Sequence, residues 1–233
     1  MRKSFILVLL SIILASCDFV NLSDSKIDLI PVCSGEKWGY INKKGRFLIN
    51  PQFAQADYFR EGLALVKSLD GKMGFIDKKG NYKISAIYKD ATPFSEGLAF
   101  VVSDGGYPIC IDKKGETKFI VKHAKHVYPF HDGLSKFYCV EGKAGFIDKK
   151  GNIVIQTQFE DVSNFHEGLA AVKKNNKWGF INKEGKIIII PQFEYVSSFD
   201  NGIAAFYNGK QWGFINKNGN YKIITGALIF NSK

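Results

Sequence analysis

The feature that most constrains this chain is a period of about 35 residues running through nearly all of it. Trp38-Gly39-Tyr40-Ile41 returns as Met73-Gly74-Phe75-Ile76, Ala144-Gly145-Phe146-Ile147, Trp178-Gly179-Phe180-Ile181 and Trp212-Gly213-Phe214-Ile215. Pro108-Ile109-Cys110-Ile111 is a degraded copy between the second and third of these. Counted from Gly39, the spacings are 35, 35, 36, 34 and 34. A Lys-Lys-Gly-like turn follows each copy, from Asn42-Lys43-Lys44-Gly45 to Asn216-Lys217-Asn218-Gly219. Between copies stands a second signature: Phe59-Arg60-Glu61-Gly62, Phe94-Ser95-Glu96-Gly97, Phe130-His131-Asp132-Gly133, Phe165-His166-Glu167-Gly168 and Phe199-Asp200-Asn201-Gly202. A third is Pro51-Gln52-Phe53, Thr157-Gln158-Phe159 and Pro191-Gln192-Phe193. Three signatures in one register mean six copies of one unit, and self-similarity at such a period signals a repeat architecture.

These residues resemble the WG-containing repeats of bacterial envelope and cytoplasmic proteins. The resemblance spans about residues 30–225 and rests on Trp38, Gly39, Gly74, Gly145, Trp178, Gly179, Trp212 and Gly213. It implies a repeat protein and says little about biochemical role. The third unit departs most, with Pro108-Ile109 in place of Trp-Gly.

The physics of one unit points to all-β structure. In Leu169 to Phe193, apolar runs alternate with polar turns, and Gly185 closes a turn where φ > 0 is needed. Leu169–Val172, Trp178–Ile181 and Lys186–Ile190 are predicted strands, the last stopped by Pro191. Alternation puts Trp178 and Phe180 on one face and Gly179 and Ile181 on the other. Both faces carry apolar groups, so both should be covered by stacked neighbours. Gly between two large residues predicts a close approach, expected from an aromatic of the adjacent unit such as Phe193 or Phe199. The expected shape is an open, solenoid-like stack of six meander or hairpin repeats. The alternative is a closed, six-bladed, propeller-like ring, for which 35 residues is short beside the 40–45 of WD-type blades. Pro108 and Ile109 are expected to make the third unit locally irregular.

The first residues carry a different message. Arg2 and Lys3 precede an apolar run from Phe5 to Leu14 that is too short to span a bilayer. Leu14-Ala15-Ser16-Cys17 resembles the lipobox of bacterial lipoproteins. That resemblance implies a signal peptide over 1–16, cleavage before Cys17, and lipid (palmitate among the acyl chains) on Cys17. Several acyl chains anchor stably where one does not. Residues 17–29 read as the lipidated cysteine and tether, and 30–233 as the repeat domain. The expected location is a bacterial membrane surface, periplasmic or at the cell exterior.

Formal charge is +10, and +8 once Arg2 and Lys3 are removed with the leader. Turn lysines carry much of it: Lys43, Lys44, Lys78, Lys79, Lys113, Lys114, Lys149 and Lys150 are the candidate binding residues. In a regular array they would line up as a basic stripe for anionic glycan or lipid headgroups, or as a solvated edge that resists aggregation. An exported protein would not meet nucleic acid.

No chemistry emerges. His123 and His126 lack the further ligands that zinc needs. His131 and His166 fill a slot where Arg60, Ser95 and Asp200 also stand. Glu61, Glu96, Asp132 and Glu167 recur at a turn position where a side-chain oxygen can bond backbone N–H groups. Cys33, Cys110 and Cys139 are odd in number, and Cys110 stands where other units have Phe, as a small buried hydrophobe. No catalytic residue, metal site or cofactor is expected. The expectation is a non-enzymatic, membrane-anchored scaffold with a protein partner in the envelope; the alternative is a glycan-binding module using turn lysines and aromatics.

Overall fold

The computed structural model describes residues 29–224. The expected signal peptide, Cys17 and all of the tether except Leu29 lie outside the described residues. What is described is β-structure without helix, in six antiparallel sheets that follow one another along the chain, none closed into a barrel. Unit five shows the plan: Asp161–Val162, Leu169–Lys174, Lys177–Asn182 and Ile187–Phe193, hydrogen-bonded in chain order. Units two to six have all four strands. The described part of unit one has three: Ile30–Ser34, Lys37–Ile41 and Phe47–Phe53.

The meander thus carries a short opening strand that sequence patterning did not predict. Two residues, here Asp161 and Val162 opposite Lys173 and Val172, are too few to alternate visibly. The fourth strand also differs from expectation, because it runs through Pro191 rather than stopping there. Its register explains why. Trp178 pairs with Phe193 and Phe180 pairs with Ile189, so three residues of the fourth strand stand opposite Gly179 alone. Pro191 sits in that bulge, where the ladder does not need its missing N–H.

The same bulge is the reason for the repeated glycine. A Cβ on Gly179 would lie 2.4 Å from the Ile189 carbonyl oxygen and 2.5 Å from the Pro191 nitrogen, with Gly39 and Gly145 in the same position. The close approach therefore comes from the backbone of the unit's own fourth strand, not from a neighbouring unit's aromatic. Phe193 and Phe199 do reach across the interface, but they pack on Phe206 and Phe180, with ring centroids 4.5 and 4.7 Å apart.

Turn chemistry follows the sequence closely. In unit four, Asp148 Oδ1 accepts the backbone N–H groups of Lys150 at 2.8 Å and Asn152 at 2.9 Å, while Gly151 takes φ = 86°. The short polar side chain closes the turn and glycine supplies the left-handed residue.

Among the described residues the core divides into five clusters, each shared by two consecutive units. Between units five and six, Leu169, Ala171, Phe180 and Ile189 meet Val196, Phe199, Ala204, Phe206 and Ile215. The Phe side of one sheet packs on the Ile side of the next, so both faces are covered, as the two-sided apolar pattern requires. Each buried Phe, Leu or Ile contributes roughly 1.5–3 kcal/mol, and no unit has such a core by itself.

The stack is open. Phe180 and Leu169 are 0 and 8% exposed, whereas their equivalents in unit six, Phe214 and Ile203, are each 48% exposed. A ring would have buried that face against unit one. The last sheet is also built differently. Phe214 pairs with Lys222 where the repeat would have placed Ile223, and no bulge interrupts the ladder. This one-residue slip turns Ile223 towards the interface with unit five and leaves Lys222 on the uncovered side.

Unit three keeps one of the two register shifts found in units one, two, four and five and lacks the other. Ile109 pairs with Ile120 and Cys110 with Phe119 without a break between them, the register shifts between Cys110 and Ile111, and the fourth strand is only Thr117–Ile120. With no bulge opposite residue 109, a glycine is not needed there.

Candidate functional site: the turn rim and the open end

The hairpin linking the opening and second strands, and the turn linking the third and fourth, lie at the same end of each sheet. In the hairpin, Glu61, Glu96, Asp132, Glu167 and Asn201 adopt φ of 50–53°, and a glycine follows each. The expectation that these side chains bond their own turn is corrected, because they reach into the next unit. Glu61 accepts the N–H of Gly97 at 3.0 Å, Glu96 that of Gly133 at 3.1 Å, Asp132 that of Gly168 at 3.1 Å and Glu167 that of Gly202 at 3.0 Å.

The lysine turns complete this ladder. Lys113 pairs with Glu61 at 3.0 Å, Lys149 with Glu96 at 2.7 Å and Lys217 with Glu167 at 2.8 Å. Lys113 and Lys217 also donate to the backbone carbonyls of Glu61 and Glu167. Burial works against the Glu96 carboxylate, but Lys149 and the Gly133 N–H outweigh it and hold its pKa below the ordinary value. Lys217 does the same for Glu167. Each pair is partly exposed and worth little alone, about 0–1 kcal/mol. What matters is geometry, since each carboxylate joins two consecutive units at one rim.

All eight candidate lysines, Lys43, Lys44, Lys78, Lys79, Lys113, Lys114, Lys149 and Lys150, are exposed. They do not behave as one stripe. Lys113 and Lys149 are structural ties, while Lys44, Lys79, Lys114 and Lys150 make no side-chain hydrogen bond or ion pair among the described residues. The repeat tryptophans lie at the other end of the sheets. Trp38 and Trp178 are half-buried, and Trp38 lines an open cleft of about 310 Å³ with Gln55, Asp57, Lys67 and Met73.

The remaining titratable groups do not converge. His123 and His126 are exposed, and His131 lies beside His166, its counterpart one unit on, with the rings tilted and their centroids 6.0 Å apart. Among the described residues no three His, Cys, Asp or Glu side chains come together. Cys110 is fully buried, which with the nearby Asp112 pushes its thiol pKa up to about 12. Cys139 is buried and Cys33 exposed, all three as free thiols.

Patterning missed the open end of unit six. Ile203, Phe214, Trp212 and Tyr195 share its outer face and are 44–50% exposed. Tyr195, Tyr207 and Trp212 form a cross-strand aromatic row, with centroids 5.6 Å apart for Tyr195 and Trp212 and 5.2 Å for Tyr207 and Trp212. No other unit carries three aromatics there; unit five has Asp161, Lys173 and Trp178. The local sequence carried no signal of this, since Trp212-Gly213-Phe214-Ile215 reads like the covered copy Trp178-Gly179-Phe180-Ile181.

Solved structures of similar shape share little sequence with this chain. The computationally designed Ika8 protein is 11% identical with a TM-score of 0.52, covering 84% of this chain and 67% of its own. A chain of the mitotic checkpoint complex is 10% identical with a TM-score of 0.53, covering 85 and 76%. Hsv2p of Kluyveromyces lactis is 12% identical with a TM-score of 0.52, covering 82 and 71%. These likenesses concern the fold alone. No curated protein matches the chain. The WG containing repeat model, however, matches residues 38–72, 73–107, 145–178 and 178–211, more than half of the chain and the units whose repeat glycine and bulge are described above. The chain belongs to the WG containing repeat family.

Proposed function

We propose that this protein is a non-enzymatic interaction module of the bacterial envelope, held at a membrane by lipid on Cys17 and binding another protein through its repeat array. The anchoring reading rests on the Arg2-Lys3 pair, the short apolar run and Leu14-Ala15-Ser16-Cys17. The binding reading rests on one observation. The inter-unit aromatics are buried, while unit six exposes an apolar sheet face of the kind that protein covers in the other five units. The recurring acids and several turn lysines are occupied in ties between units, which supports a structural role for them rather than a catalytic one.

The test is retention of envelope proteins and of purified peptidoglycan, in parallel and at two salt concentrations, on the chain from residue 17 with Cys17→Ser. A defined protein retained at both salts supports the module. Salt-sensitive retention on glycan alone would move the function to lysines such as Lys44, Lys79, Lys114 and Lys150 and reject a protein partner. For the anchor, labelling with a radioactive fatty acid should mark the wild-type chain and not Cys17→Ser.

A further inference from the structure

The five internal interfaces specify what fits the uncovered sixth face. In each, an aromatic from the opening hairpin of the following unit lies on an aromatic of the preceding sheet. The pairs are Tyr40–Phe59, Phe75–Phe94, Phe100–Phe130, Phe146–Phe165 and Phe180–Phe199, with centroids 4.7–5.4 Å apart. Phe214 occupies the same place in unit six and has no ring partner among the described residues. We propose that the open face of unit six is a docking surface for a protein β-hairpin that sets an aromatic side chain over Phe214 and a carboxylate near Lys222.

Two departures of unit six from the repeat give the partner its chemistry. Lys222 takes the place beside Phe214 that Ile189 has beside Phe180. An acidic group there gains where an aliphatic one would be left against a charge. Asn201 replaces the carboxylate that ties each of units two to five to its successor, so this rim makes no demand for a lysine turn on the partner. The row Tyr195, Tyr207 and Trp212 extends the same surface with rigid amphipathic rings, the residue types that carry binding energy at protein interfaces.

A second copy of this chain does not meet the requirement. Its first unit would have to present the hairpin, and the positions equivalent to Phe59 and Gly62 are Asp24 and Ile27. That unit lacks the aromatic and the glycine that every later unit uses.

The inference rests on the protein-binding reading above. Its probe is the chain's own hairpin sequence, a peptide of residues 160–173 with its ends joined, which contains Phe165 and no tryptophan. Titrated into the chain from residue 17 with Cys17→Ser, Trp38→Phe and Trp178→Phe, it should shift Trp212 emission to the blue and saturate below about 1 mM, the weak end of specific binding. Phe165→Asp in the peptide, or Phe214→Ser in the protein, should weaken binding at least about tenfold, equivalent to about 1.4 kcal/mol. Lys222→Glu should weaken it several-fold, and circular dichroism should show both protein variants folded. Binding unchanged by Phe214→Ser, or no binding at about 1 mM, would overturn the proposal. So would an emission shift with soluble peptidoglycan fragments and none with the peptide. A concentration-dependent dimer abolished by Phe214→Ser would assign the face to a second copy and reject the hairpin. An envelope protein retained equally by wild type and Phe214→Ser would keep the module's function and remove this surface from it.

Discussion

Phe100 and Cys110 face each other across the second and third strands of unit three with their sizes exchanged relative to Ala171 and Phe180 in unit five. Phe100 takes over the packing that the third-strand aromatic performs elsewhere and stacks on Phe130 at 5.4 Å. The slot keeps one ring and one small group, supplied from opposite strands. The third unit's missing aromatic is therefore compensated within its own sheet.

Phe100→Ala should cost about 3–5 kcal/mol, because it leaves a cavity where both residues are buried. Cys110→Phe alone should cost about 1–3 kcal/mol through overpacking. The double variant restores the arrangement of unit five, so it should be more stable than Phe100→Ala. Urea unfolding of all four forms measures the coupling, and strict additivity would refute the exchange.

Gly179→Ala should destabilise by about 1–3 kcal/mol, since its Cβ would meet backbone that belongs to the bulge and cannot move alone. Gly145→Ala should behave alike, with 2.5 Å to the Ile155 carbonyl oxygen. Ile109, which no bulge opposes, is the internal control, and Ile109→Gly should bring no gain. Thermal unfolding of the three variants distinguishes a demand of the bulge from a general preference for glycine.

The carboxylate ladder should make stability fall in acid. Glu96 and Glu167 have folded pKa values below ordinary, so the folded state binds fewer protons than the unfolded one as the pH nears theirs. Their contribution is complete above the ordinary carboxylate value, about 4.3, and is lost as pH falls through the lower folded values. Melting temperature measured from pH 7 to pH 3 should decline below about pH 5. Glu96→Gln with Glu167→Gln should flatten part of that decline while lowering stability at neutral pH.

Thiol chemistry should separate the cysteines. In native protein with Cys17→Ser, an aromatic disulfide reagent should modify Cys33 alone, because Cys110 and Cys139 are buried. Cys110 is doubly protected, its burial also disfavouring the thiolate that reacts. All three should react in denaturant. Fast native labelling at Cys110 would mean that the interface between units three and four opens readily.

Much of this architecture was legible in the sequence, because its causes are local. The six units, the Asx-and-glycine turns and the two-sided burial of Phe180 and Ile181 follow from patterns within a few residues, which backbone conformation obeys directly. Tertiary structure decided the rest. Gly179 is required by a bulge whose other side lies ten residues further on, Glu96 acts on a glycine 37 residues away, and Phe100 substitutes for a ring missing from another strand. Phe214 has the same neighbours in sequence as Phe180, yet one is open and the other closed. The difference arises because a sheet face is buried by whatever stacks on it, and no sheet among the described residues stacks on the outer face of unit six.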